Sequence, residues 1–312
     1  MSKWSKEYHQ QHADVSINYQ SIGSGGGIQQ FLAKTITFGA SDAPLTDEQF
    51  QRAGGPEKAL HIPATMGSEA IIYNLPGVTT SIKLAPDILA DMYLGTLTKW
   101  NDSRITALNP GISLPDLSIG VVHRSDGSGT TDIFTDYLSK VSDEWKTKVG
   151  RGTSVNWPTG IGGQGNEGVT NQVKLTNGGI GYVELAYAKV NKLVYALLKN
   201  HDGNFVEPSP ETTSAAAAQL ATSLPSDLRY SITDSPGANA YPIAGTTWFL
   251  VYLDQTDPGK GKTLASFIWW AIHDGQALGK DLFYAPLPPE LVTRCEEQIA
   301  KMQCGGAACR AS

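Results

Sequence analysis

An α/β fold is predicted, and three observations carry it. Apolar, β-rich stretches alternate along the chain with stretches of helical periodicity. Glycine-rich turns sit where one kind gives way to the other. At 40% hydrophobic and 17% charged residues over 312 positions, the chain can bury the cores of two ordinary domains. Sheets in such alternations are mostly parallel, and ligands lie outside the carboxyl ends of their strands.

The chain starts in a helix, because Trp4, Tyr8 and His12 fall at i, i+4 and i+8. Val15 to Tyr19 alternates apolar and polar, as a half-buried strand does. Ser21-Ile22-Gly23-Ser24-Gly25-Gly26-Gly27 forms a glycine turn ahead of helical spacing in Ile28, Phe31 and Leu32. Thr35 to Gly39 reads as a short strand that ends at Ala40-Ser41-Asp42-Ala43-Pro44. Thr46, with Gln49 three residues on, is a capping box for the next helix. His61 to Leu75 is apolar and β-rich and stops at Pro76-Gly77.

Leu117 to Val122 is strand-like and runs into His123-Arg124-Ser125-Asp126-Gly127-Ser128-Gly129-Thr130, after which Thr131 to Val141 is helical. Asn177-Gly178-Gly179 followed by Ile180-Gly181-Tyr182-Val183 repeats the turn-plus-strand theme. Glu211 to Leu220 is an alanine-rich helix, Ile243 to Leu253 a strongly apolar strand and Leu264 to Leu278 an amphipathic helix. Pro288, Pro289 and Glu290 suit the start of a last helix, to Met302.

The net charge of −6 argues against nucleic acid, which favours clustered positive charge. It does not argue against a small anion, since a local nest of N–H dipoles outweighs a weak global field. No run of about 18 apolar residues predicts a transmembrane helix, and Met1 to Lys6 lacks the apolar core of a signal peptide. Cys295, Cys304 and Cys309 fit no zinc spacing. One disulfide plus a free thiol is one arrangement for them, and a loose tail with incidental thiols is the plainer expectation. The six histidines show no metal-ligand spacing, so no metal and no cofactor are expected.

The run from Arg124 to Thr130 is the most informative in the chain. A strand, a Gly/Ser/Thr turn and a helix start make an anion-binding corner, because the first N–H groups of a helix are unpaired and its dipole favours negative charge. Arg124 adds a planar, forked cation, and Ser128 and Thr130 add hydroxyls. Taken alone, the run also fits a solvent-exposed N-cap with an incidental arginine. It is no P-loop, because no Gly-Lys-Ser/Thr follows. Ser24 with Gly25 to Gly27 is a weaker corner of the same kind. Asp42 fits an Asx turn before Pro44. A carboxylate there also suits a ligand that carries a proton, such as hydrogen phosphate, and disfavours sulfate.

These segments resemble the phosphate-binding proteins of ABC-type phosphate uptake systems, in the periplasmic binding protein superfamily. The matching stretches are Asn18 to Gly27, Phe38 to Leu45, Trp100-Asn101-Asp102, Asn109-Pro110-Gly111, Arg124 to Thr130, Gly162 to Asn166 and Gly179 to Glu184. Several motifs in fixed order, from about residue 3 to about residue 300, make the resemblance specific. It implies a two-lobed type II periplasmic-binding-protein fold with the ligand in the cleft. The lobes would be residues 1–74 plus 245–312 and residues 75–244, with hinge crossings near 73–77 and 241–245. It implies phosphate contacts from Ser24 and Asp42 in one lobe and from Arg124, Ser128, Gly129 and Thr130 in the other. Asp42 would accept the phosphate proton, Gly25 would support its turn, and Asp126 would orient Arg124. It implies a monomeric, non-enzymatic carrier outside the cytoplasm that hands phosphate to the membrane permease subunits of an ABC transporter. Family members carry a strand and a glycine-rich turn before the helix that this sequence starts with. Without a replacement for that strand, the first sheet would lose pairing and phosphate would lose hydrogen bonds.

Three other readings remain at this point. A phosphoryl-transfer enzyme needs a nucleophile with a base, or metal ions, and no such set is legible. A binder of sulfate or molybdate has to accommodate Asp42. A paralogue that no longer binds tightly would keep the motifs without the affinity.

Overall fold

A computed structural model describes residues 1–221 and 223–310. In chain order the elements are α1 (Ser2–Gln11), α2 (Gly23–Leu32), β1 (Phe38–Ser41), α3 (Asp47–Arg52) and β2 (Ala59–Asn74). Then come β3 (Lys83–Leu84), α4 (Pro86–Leu94), α5 (Ser103–Leu108), β4 (Gly120–Arg124), α6 (Gly129–Val141) and α7 (Asp143–Lys148). They are followed by β5 (Ile161–Gly163), α8 (Gly165–Leu175), β6 (Gly179–Glu184), α9 (Leu185–Val190), β7 (Leu197–Lys199), β8 (Phe205–Val206) and α10 (Pro210–Ala217). Last are β9 (Ala244–Tyr252), β10 (Asp254–Gln255), α11 (Pro258–Ile272), α12 (Pro289–Ala300), β11 (Gln303–Cys304) and β12 (Ala307–Ala308).

The chain divides into two compact units, Met1–Met66 with Leu220–Ser231 and Thr246–Ser312, and Gly67–Gln219 with Ile232–Gly245. This departs from the expected 1–74 plus 245–312 in three places, the smallest being Gly245, which falls in the second unit. Residues 67–74 join the second unit, because Glu69 to Asn74 of β2 pair with β6. Leu220–Ser231 returns to the first, where Arg229 donates to the Leu45 carbonyl at 2.9 Å and stacks on Phe50. Thr222, Ala311 and Ser312, inside the expected ranges, lie outside the described residues.

In the first unit β1 runs antiparallel to β9, with Phe38 opposite Val251 and Ser41 opposite Trp248. Ile28, Phe31, Leu45, Phe50, Trp248 and Leu250 form a core. Helix α2 lies against β1 with little clearance, since a Cβ on Gly27 would sit 2.8 Å from the Ala40 carbonyl oxygen. Helix α1 is anchored by Trp4, whose indole N–H donates to the Gly275 carbonyl at 2.7 Å, and by Tyr8 set edge-on to Phe267 and Trp270. The capping box at Thr46 and Gln49 forms in both directions.

Several local expectations need correction. Val15 to Tyr19 forms no strand, because alternation alone supplies no ladder partner. The glycines from Gly23 onward lie inside the first turns of α2 rather than before it, with Gly23 taking a positive φ at its start. Helix α11 begins at Pro258, well before Leu264, because the Asp257 carboxylate caps the Gly259 and Lys260 N–H groups at 3.0 and 3.1 Å. The cysteine-bearing end is not a loose tail. Strand β11 pairs with β10 and folds back on β12, which brings Cys304 and Cys309 to a Cα separation of 4.8 Å and into a disulfide. Cys295 stays a thiol, buried and donating to the Pro63 carbonyl, and burial raises its pKa.

In the second unit β4 lies between β5 and β6, parallel to both, while β2 pairs antiparallel with β6. A small sheet, β3-β7-β8, has one parallel and one antiparallel pair. The sheets are therefore mixed. The core is aromatic-rich, with Tyr93, Trp100, Phe134, Tyr137, Trp145 and Tyr182 fully enclosed.

Candidate functional site

Two corners, one in each unit, gather the residues singled out in the sequence. The second-unit corner forms where β4 ends and α6 begins. Arg124 is the last residue of β4, and Ser128 caps α6 by accepting the Thr131 N–H at 3.2 Å. Parallel pairing of β4 with β5 and β6 directs their carboxyl ends the same way, toward this turn.

Arg124 is 7% exposed, Ser128 1% and Thr130 2%. The corner is therefore not a solvent-exposed N-cap with an incidental arginine. The guanidinium is held on two sides. Asp126 accepts Nε at 2.8 Å and Nη2 at 2.5 Å, a bidentate fork, and Nη1 donates to Thr130 Oγ1 at 3.3 Å. Asp126 is itself fixed by the Gly165 N–H at 3.0 Å, from the first residue of α8. Burial disfavours the Arg124 charge, but the Asp126 hydrogen bonds and charge outweigh it, and the net shift is upward. Burial likewise pushes Asp126 up, and Arg124 with the Gly165 N–H more than reverses it. The pair stays ionised. An arginine has five N–H groups, so three bonds leave donors for a ligand.

Tyr182 was not singled out, yet it braces the turn. Its hydroxyl accepts the Arg124 N–H at 3.1 Å and shares a 2.7 Å bond with Thr131 Oγ1. Its ring stacks on Phe134 and Trp157, and Trp157 stacks on His123. The visible signal for it is the run Gly179-Ile180-Gly181-Tyr182-Val183-Glu184 at a glycine turn.

In the first unit Ser24, in the first turn of α2, accepts the Asp42 N–H at 3.0 Å. Gly25 follows it in the same turn. The Asp42 carboxylate is oriented by Thr247 of β9, whose hydroxyl donates to Oδ1 at 2.6 Å. Nothing near Thr247 in sequence marks it. Both corners share one device. A hydroxyl oxygen, Ser24 or Ser128, is occupied by a backbone N–H, so its own proton points elsewhere.

Both corners suit oxyanions. One offers a fixed cation, hydroxyls and the helix-start N–H groups of Gly129 and Thr130, and the other a hydroxyl and an acceptor. Among the described residues no group of three or more His, Cys, Asp or Glu is placed to hold a metal ion. Among the described residues no helix is long and apolar enough to cross a membrane.

Comparison with known proteins gives the same direction. A family model described as a PBP superfamily domain matches residues 1–274. A phosphate-binding protein PstS of Xylella fastidiosa is 46% identical over 297 residues, covering 95% of this chain and 80% of the relative. One from Pasteurella multocida is 45% identical over 298 residues, 95% and 85% of the two chains. Among solved structures, a phosphate ABC transporter substrate-binding protein from Clostridium perfringens, with bound phosphate, superposes with a TM-score of 0.66 at 18% identity. That match covers 92% of this chain and 94% of the other. A phosphate-binding protein from Stenotrophomonas maltophilia gives 0.69 at 19% identity, over 93% and 89%. At such identities these structures speak to the fold. With that fold, and with relatives sharing nearly half its residues along almost its whole length, the chain belongs to the PBP superfamily and, within it, to the PstS phosphate-binding proteins.

Proposed function

We propose that this protein captures inorganic phosphate and delivers it, unconverted, to the permease subunits of an ABC transporter, working as a monomer outside the cytoplasm. The ligands in this reading are Ser24 and Asp42 from the first unit and Arg124, Ser128, Gly129 and Thr130 from the second. Gly25 and Asp126 support them. Asp42 accepts the proton of hydrogen phosphate, and sulfate, which has no proton to donate, would set its own oxygen acceptors against that carboxylate.

The observation that carries the reading is the Arg124 fork. A buried guanidinium is locked by Asp126 and by Thr130, the second residue of α6, at a helix start whose N–H groups favour an anion. Family membership supplies the ligand class.

Calorimetry on protein stripped of bound anion tests it. Phosphate should bind and sulfate should not, and Arg124→Ala should weaken phosphate by at least about a hundredfold, the value of two charge-assisted hydrogen bonds. Equal affinities for phosphate and sulfate, or an indifferent Arg124→Ala variant, would sink it. Turnover of a chromogenic phosphate ester that Ser128→Ala abolishes would instead favour an enzyme.

A further inference from the structure

A second arginine lies outside the corner and is tied to it through α6. Helix α7 stops at Lys148, and Gly150, at a positive φ of 79°, turns the chain back toward α6. Arg151 then grips that helix. Its Nε and Nη2 donate to both carboxylate oxygens of Asp132, at 3.1, 3.2 and 2.7 Å, and Nη1 donates to Asp136 Oδ1 at 2.9 Å. Both carboxylates are buried, one turn apart on one face. The segment is sewn on further by the Gly152 N–H, which donates to Thr135 Oγ1 at 3.1 Å. Beyond it, the Thr153 carbonyl accepts the Ser128 N–H at 2.8 Å. Ser128 is the N-cap of α6 and one of the proposed phosphate ligands.

The arrangement has two consequences for an anion at the helix start. Asp132 sits in the first turn of α6, where a bare carboxylate would repel a second anion. Arg151 compensates that charge without leaving the helix N-terminus. The same grip places the Thr153 carbonyl, which fixes the backbone of Ser128 and hence the direction in which the next N–H groups, of Gly129 and Thr130, point. Thr135, Asp136 and Gly152 belong to the same lattice, and Lys140 approaches Asp136 at 3.2 Å from the far side.

We propose that Arg151 is a positioning residue for the anion-binding corner, acting through Asp132 and Asp136 to set the affinity for phosphate. The inference rests on the phosphate reading above. It assigns Arg151 no contact with the ligand.

The test is a double-mutant cycle read by phosphate calorimetry on anion-stripped full-length protein. Arg151→Gln should weaken phosphate by about tenfold, and Arg151→Lys, which keeps the charge but loses the fork, by about threefold. In an Asp132→Asn/Asp136→Asn background, Arg151→Gln should cost less than about twofold, because the paired charges and the two-oxygen fork that Arg151 grips are already gone. A purely structural arginine would instead lower the melting temperature and leave the affinity of the folded fraction unchanged. If Arg151→Gln does not fold, the lysine variant and the carboxylate background carry the test. The inference is overturned if Arg151→Gln and Arg151→Lys bind like the parent, or if the glutamine costs as much without the two carboxylates as with them. Arg124→Ala run alongside separates the two levels. If it too binds like the parent, the phosphate reading has failed, whereas loss at Arg124 with indifference at Arg151 defeats this inference alone.

Discussion

Thr247 donates its hydroxyl to Asp42 across a 2.6 Å bond that joins residues 205 positions apart in the chain. The bond fixes the rotation of the carboxylate in a half-buried corner, so the oxygen that meets a ligand does not have to be selected from several rotamers. Asp42→Asn keeps the shape and turns one acceptor into a donor. We expect phosphate-over-sulfate preference to shrink by at least about a hundredfold, measured as the ratio of the two dissociation constants. Thr247→Val should weaken phosphate by about three- to tenfold with the preference retained. A preference untouched by Asp42→Asn would remove the carboxylate from the selectivity argument.

Tyr182→Phe removes one oxygen and leaves two buried partners, the Arg124 N–H and the Thr131 hydroxyl, each short of a bond. A stability loss of about 2 kcal/mol is expected in urea unfolding, together with weaker phosphate binding. Affinity unchanged at that loss would confine Tyr182 to the core.

His61 carries a pH dependence. It is buried against Phe50, and Nε2 accepts the Leu45 N–H at 3.1 Å, so the ring is neutral with its proton on Nδ1. Burial, with Arg229 adding to it, lowers its pKa to about 3. The unfolded chain protonates near 6.5 and the folded one near 3, so between those values the unfolded state holds the extra proton. This contribution to stability is complete above about pH 6.5 and is lost as the pH falls, with a slope of up to about 1.4 kcal/mol per pH unit. Thermal melts from pH 7 to pH 4 should show a decline that His61→Gln flattens. Parallel declines for both proteins would place the effect elsewhere.

The Cys304–Cys309 link closes a short loop, so on loop-entropy grounds it is worth about 2 kcal/mol. Reductant should lower the melting temperature of the parent by a few degrees and leave Cys304→Ser/Cys309→Ser unmoved. Phosphate affinity should be the same in all three samples, because the disulfide belongs to the β10-β11-β12 sheet rather than to either corner.

What the sequence made legible were features with local causes. The capping box at Thr46, the proline start of α12, the apolar run of β9 and the glycine turn at Arg124 each follow from neighbouring residues. Features that depend on distant partners were not legible. Val15 to Tyr19 has the alternation of a strand and no ladder to join. Thr247 and Tyr182 matter because of where Asp42 and Arg124 come to lie, and no spacing rule links them. Arg151 carries no local mark in the sequence, and it matters because α6 presents Asp132 and Asp136 to it. The disulfide was one of two open arrangements, and the return of β11 along β10 decided between them.

Gly27 owns no side chain, and that is its contribution. With a methyl group only 2.8 Å from the Ala40 oxygen, alanine there would lever α2 off β1 by several tenths of an ångström. Ser24 rides on that helix and Asp42 extends that strand, so the gap between helix axis and strand is the gauge that spaces the two groups. The spacing of Ser24 and Asp42 in this unit is set by a missing carbon, at a residue with no side chain of its own.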